Sequence, residues 1–196
     1  LKANLALEPI GPGASKKKYK VTGGTTGVAT KVPEYKLALT IAKKLKKELE
    51  KRGYEVVMTR TKNKVNISNK ERAKIANKAG ADAFIRIHAN AGGSSAKGAL
   101  TIAPTKNNPY LTKKNRNASR KFSKVVLKKY CKATGAKNLG VMYTDTMSGI
   151  NWSEVPVTII EMGFMSNSSE DKKMQKSSYQ KKIVKGIADG IDAYLG

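Results

Sequence analysis

Apolar positions along the chain follow two rhythms, a four-residue recurrence and short continuous runs, and the two alternate. Between Pro33 and Gly53, Leu37, Ile41, Leu45 and Leu49 recur every fourth residue with Ala38 and Ala42 beside them, among Lys and Glu. That spacing predicts an amphipathic helix that opens at Pro33, a residue suited to a first helical position, and stops at Gly53. Tyr54-Glu55-Val56-Val57-Met58-Thr59 reads as a strand. Ser68 with Glu71 makes a capping box, which predicts a second helix running to about Lys78. Ala83 to His88 is a further strand, and Ala99 to Ile102 another. Lys113 to Lys132 predicts a long basic helix with Phe122, Val125, Val126 and Tyr130 inward. Val155 to Glu161 reads as a strand, and a last helix from about Ser177 uses Ile183, Ile187, Ile191 and Leu195.

Two stretches carry neither rhythm. Glu8 to Val32 holds Gly11-Pro12-Gly13, Lys16-Lys17-Lys18, Gly23-Gly24 and Gly27, and reads as loop. A loop that long inside a compact domain usually serves function or moves. Its Gly-Pro-Gly lacks the pattern of a phosphate loop. After Gly140 a looser region leads to Trp152. Strands alternating with helices of this length predict an α/β fold, a single mostly parallel sheet with helices on both faces.

Composition narrows the function. The 196 residues suit one domain, and 39% apolar residues suit one core. No stretch approaches the ~20 apolar residues of a membrane helix. One cysteine, Cys131, excludes a disulfide framework and an all-cysteine zinc site. One histidine excludes every motif that needs two. A net charge of +25 points to a polyanion such as nucleic acid, an anionic membrane face or an acidic wall polymer. The cations are 33 Lys against 6 dispersed Arg, and aromatics make up 6%, which argues against sequence-specific nucleic-acid recognition. A solvated lysine-rich surface explains the charge equally well.

Sites in open α/β sheets form beyond the carboxyl ends of the strands. Two strands end there in a titratable residue, His88 after Phe84-Ile85-Arg86-Ile87 and Glu161 after Val157-Thr158-Ile159-Ile160. Glu161 reads either as the first polar residue where its strand surfaces or as a general acid/base with its pKa raised by partial burial. His88 alone reads as a satisfied core histidine, and the two together favour a site. Glu34, in the first turn of the Pro33 helix, is favoured there by the helix dipole whatever else it does.

Three blocks carry a resemblance: Val32-Pro33-Glu34-Tyr35-Lys36-Leu37-Ala38-Leu39, Arg86-Ile87-His88-Ala89-Asn90-Ala91, and Val155-Pro156-Val157-Thr158-Ile159-Ile160-Glu161-Met162-Gly163-Phe164-Met165-Ser166-Asn167. They resemble the zinc-dependent N-acetylmuramoyl-L-alanine amidases, the group of bacterial autolysins and spore or cell-separation amidases. The likeness covers essentially the whole chain. It implies a Zn2+ cofactor held by His, Glu and His, with Glu34 matching the carboxylate ligand and His88 the second histidine. Glu161 then matches the glutamate that activates the zinc-held water, and Asn90 is placed to orient substrate or the histidine loop. The implied substrate is peptidoglycan, cut between muramic acid and L-Ala, at an extracellular or cell-wall location. The lysines would then serve anionic wall polymers, and the protein would act as a monomer.

The sequence departs from that family at one place. The family's first zinc ligand is a histidine in a D-P-G-H turn after the first strand, and this chain has neither that turn nor a second histidine. Leu1-Lys2-Ala3-Asn4 matches the residues just after the turn. The expectation is therefore an amidase catalytic domain over 1–196 whose first strand and first ligand lie upstream. The alternatives are a non-catalytic wall-binding module of the same fold, a basic nucleic-acid-binding protein, or a zinc protease built on the same residues.

Overall fold

In a computed structural model, residues 3–196 are described. Strands β1 (Asn4–Pro9) and β2 (Lys17–Val21) come first, then helices α1 (Glu34–Lys51) and α2 (Asn69–Lys78). Next are β3 (Phe84–Asn90), β4 (Ala99–Ala103), α3 (Lys113–Thr134), β5 (Asn138–Tyr143) and the short α4 (Ser148–Asn151). The chain ends with β6 (Val157–Phe164), α5 (Ser168–Gln175) and α6 (Ser177–Leu195).

The main sheet has four strands in the order β3-β6-β4-β5. β3 with β6 and β4 with β5 are parallel, while β4 with β6 is antiparallel. The expected mostly parallel sheet is thus present with one antiparallel pair inside it. Helices cover both faces. Leu37, Ile41, Leu45 and Leu49 of α1 join Phe122, Val126 and Tyr130 of α3 and Ile183, Ile187 and Ile191 of α6 over Ala89, Ile160 and Met162 of the sheet. On the opposite face Ala73 and Ala76 of α2 and Ile150 of α4 pack on Phe84, Val157, Ile159 and Ile102.

Several expectations need correction. The sheet is not the only one: Glu8 to Val32 is not all loop, because β1 and β2 form an antiparallel hairpin whose tip is the Gly-Pro-Gly turn. Ile10 N–H donates to Lys16 O and Ala14 N–H to Gly11 O across that turn. Lysines along β2 hide it, since only Val21 of that strand is buried. Tyr54–Thr59 is not a strand. It alternates inward Tyr54, Val56 and Met58 with outward Glu55 and Val57, as a strand would. Among the described residues, however, 55–67 form no backbone–backbone hydrogen bond, so there is no ladder there. β5 lies in the region read as loose, because as an edge strand it buries none of its residues completely. α4 and α5 also escape the pattern, being short and largely polar. The capping box is present as expected: Glu71 N–H donates to Ser68 Oγ, and Ser68 N–H donates to Glu71 Oε2.

The close packing of α3 against α6 depends on small residues. A Cβ at Gly190 would lie 2.7 Å from the Cα of Val126, and one at Gly186 would lie 2.9 Å from the Cα of Tyr130. Backbone cannot yield as a side-chain tip can. Gly190→Ala gains helix propensity of about 1 kcal/mol, but overpacking should outweigh it. The expected net loss is about 1–2 kcal/mol of stability, read as a lower urea midpoint.

Candidate functional site

The cleft opens at the carboxyl ends of β3 and β6, where their parallel register sets His88 directly beside Glu161. Neighbouring residues in register point to the same face, so both side chains rise from one side of the sheet. Glu34 arrives from α1. Pro33 takes the N-cap position with no side chain to cap the helix, and Glu34 is the acidic residue of the first turn. Its carboxylate leaves the helix end for the cleft: Oε1 sits 2.8 Å from His88 Nδ1 and accepts from Ala89 N–H at 3.4 Å, while Oε2 accepts from Thr25 N–H at 3.2 Å.

The loop over Glu34 is tied down from a distance. Asp171 of α5 accepts from the backbone N–H groups of Ala29 and Thr30 and from the Thr30 hydroxyl. Val28 N–H donates to Met165 O, and Thr26 bridges to Pro33. The loop then passes so close that a Cβ at Gly24 would lie 2.6 Å from Glu34 Oε2, at a residue whose φ is +74°. Glu170, beside Asp171, accepts from Phe164 N–H and Gly98 N–H and so fixes the end of β6. The Glu-Asp pair was not singled out from the sequence. Its spacing after β6 gave no sign that Asp171 held a loop 141 residues away in sequence.

The two carboxylates have opposite electrostatics. Burial pushes Glu34 up, but the His88 hydrogen bond and charge, with the two backbone donors, outweigh it and hold the carboxyl below its ordinary value. Burial dominates at Glu161 and raises it; Glu34 adds to the rise, while His88 and Arg86 oppose it. One oxygen of Glu161, Oε2, is buried with no hydrogen-bond partner. Divergent carboxyl environments are what an acid/base site uses to keep one group ionised and the other ready to exchange a proton.

Asn90 ends β3. Its Oδ1 accepts from Ala91 N–H, and its backbone O accepts from Met165 N–H, so it shapes the turn after His88. Arg86, two residues before His88 on the same face, was also missed. Its guanidinium donates to Asn69 Oδ1 at 2.5 Å. An arginine within a strand gave no hint of its destination.

In donor chemistry, Glu34 and His88 suit zinc, which takes imidazole nitrogen and carboxylate oxygen. Ligands must be deprotonated, and the held-down carboxyl of Glu34 meets that condition at neutral pH. Among the described residues no three His, Cys, Asp or Glu side chains converge to hold a metal ion. The pair therefore fits as two ligands of a zinc ion and does not complete its shell.

A sequence profile of the N-acetylmuramoyl-L-alanine amidases matches residues 10–193. The chain belongs to the N-acetylmuramoyl-L-alanine amidase family. It is 30% identical over 162 residues to the amidase LytC of Bacillus subtilis (strain 168), covering 82% of this chain but 31% of LytC. The chain thus spans under a third of that relative. The catalytic domain of the amidase CwlV from Bacillus (Paenibacillus) polymyxa var. colistinus superposes with a TM-score of 0.78 at 31% identity, over 88% of this chain and 90% of that one. An amidase of Clostridium difficile 630 superposes with a TM-score of 0.79 at 30% identity, over 88% and 89%. Membership makes the chain an enzyme of amidase type, with the mixed α/β fold of those neighbours.

The opposite carboxyl shifts predict opposite pH effects in metal-free buffer. A carboxyl held low contributes stability above its unfolded pKa and loses it as pH falls through the folded value. Glu34→Gln should cost about 1–3 kcal/mol at neutral pH, a deficit that closes in acid. A raised carboxyl costs stability, a cost that grows as pH climbs from the unfolded to the folded pKa. Glu161→Gln should therefore raise the urea midpoint at neutral pH and leave it unchanged in acid.

Proposed function

We propose that this amidase-family chain hydrolyses the amide between N-acetylmuramic acid and L-alanine in peptidoglycan. It acts as a monomer at the bacterial cell wall, outside the cytoplasmic membrane. The observation that carries the reading is the convergence of Glu34, His88 and Glu161 at one strand end, in a chain of this family. No helix among the described residues is long and apolar enough to cross a membrane.

Zinc is the cofactor of this reading, with Glu34 and His88 as two of its ligands; bound there, it would supply a Lewis acid for the carbonyl oxygen. Glu161 does the proton work. Its raised carboxyl stands beside His88 with one oxygen unbonded, which suits it to take a proton from the attacking water. The same carboxyl then delivers that proton to the departing L-alanine nitrogen, so the amine leaves neutral. Asn90 steadies the turn that carries His88 and presents its side-chain amide at the rim for substrate. The exposed lysines of α3, among them Lys114, Lys121, Lys124 and Lys128, give the domain affinity for anionic wall polymers.

Purified peptidoglycan incubated with the chain and excess zinc should release new L-alanine amino termini and no new reducing sugar ends. Appearance of reducing ends, or amino termini of another residue, would overturn the reading. With only two ligands the zinc should be loose, stripped at once by EDTA. Glu34→Gln and His88→Ala should weaken it further. Glu161→Gln should leave zinc affinity unchanged and lower turnover at least about 100-fold. Near-normal turnover in that variant would remove Glu161 from the mechanism.

A further inference from the structure

The row of side chains that begins with His88 does not stop at Glu161. On the far side of β6, antiparallel register sets Leu100 of β4 opposite Glu161. Directly opposed residues share a face, so Leu100 stands beside Glu161 on the side away from His88. β5 continues the row. Ala99 pairs with Asn138 and Thr101 with Val141, which leaves Leu139 and Gly140 together opposite Leu100 in a bulge. Leu139 lies over Gly98, where a Cβ would be 3.0 Å from Leu139 Cγ and 3.2 Å from Lys137 Cβ.

This half of the row is apolar and bare. Leu139 is 40% exposed, and Met142, opposite Ile102 on the same face, is 45% exposed. The helices of that face, α2 and α4, pack further along the sheet on Phe84, Val157, Ile159 and Ile102. Lys137 closes the outer end, exposed and without a salt bridge among the described residues. The strip thus runs from a carboxylate, over aliphatic side chains, to a cation. Apolar side chains gathered bare beside a cleft mark a surface for a ligand to cover.

We propose that Leu100, Leu139 and Lys137 form the subsite for the peptide side of the substrate. The inference rests on the hydrolytic reading, which supplies the direction. Glu161 delivers its proton to the L-alanine nitrogen, so that nitrogen lies at Glu161 and the muramic acid carbonyl lies towards Glu34 and His88. The chain beyond the nitrogen then leaves over β4 and β5, because β3 and the start of α1 occupy the other side. The L-alanine methyl rests on Leu100 and Leu139, and a carboxylate on the following residue reaches Lys137. The sugar stays off the strip.

The test titrates the full chain with two soluble probes and follows its amide NMR signals. One is N-acetyl-L-alanyl-γ-D-glutamyl-L-lysine, whose acetyl carbonyl stands for that of muramic acid; the other is N-acetylmuramic acid. The peptide should shift the signals of residues 98–100 and 137–140, and the sugar should leave them in place. Leu139→Ser, at an exposed position, should weaken peptide binding about five- to tenfold. Amidating the glutamate α-carboxyl should weaken it about two- to fivefold on the unmodified chain and not at all on Lys137→Gln. No shift at 98–100 from the peptide, a shift there from the sugar alone, or unchanged affinity in Leu139→Ser would each overturn the subsite. Failure of the hydrolytic reading shows separately, as peptidoglycan digests without new L-alanine amino termini. Digestion with an unmoved strip would overturn the subsite alone.

Discussion

Strand β6 is buried at every position except Glu161, and the rest of the structure is arranged around that strand. It lies between β3 and β4 and carries apolar side chains into both cores, Val157 and Ile159 on one face and Ile160 and Met162 on the other. A strand covered on both faces tolerates few polar groups, and each must find a partner. Thr158 meets that requirement by contact with Ser123 Oγ at 2.7 Å, and the backbone O of Met162 accepts from the Tyr130 hydroxyl. Glu161 does not: one of its oxygens has no partner. The carboxylate sits at the one half-buried position of the strand, at a cost the surrounding core has to absorb.

Register converts that placement into a site. Because β3 runs parallel to β6 with His88 opposite Glu161, the imidazole and the carboxylate share one face without help from any loop. Glu34 is then brought in by a helix start and held by backbone donors from two different segments. The loop that supplies one of those donors is itself fastened by Asp171, downstream of β6. The chemistry thus rests on rigid strand ends and a helix terminus, with the long glycine-rich loop fixed over them.

The opposite shifts of Glu34 and Glu161 arise from this geometry. Both carboxyls lose water, but only Glu34 receives an imidazole and two backbone N–H groups in exchange. Burial lowers Arg60, Arg72 and Arg86 as well, and the charges of Glu34, Glu71 and Glu161 offset only part of that loss.

Apolar patterning alone was enough to place α1, α3, α6 and the strands that carry His88 and Glu161, because those elements bury regular apolar stripes or runs. The Ser68–Glu71 cap was equally legible, being a contact between residues three apart. Glu34 and His88 could be named as candidates from the blocks around them, though their 2.8 Å pairing spans 54 residues and no local pattern encodes it. The β1–β2 hairpin, β5 and α5 stayed hidden because their exposed, lysine-bearing or short sequences bury too little to leave a rhythm. Tyr54–Thr59 shows the opposite failure: its alternation is that of a strand, but a strand also needs a hydrogen-bonded neighbour, which only the tertiary structure supplies or withholds. Element types were therefore set by local burial in the sequence. Which polar groups meet, and at what cost in desolvation, was decided by the register of the sheet.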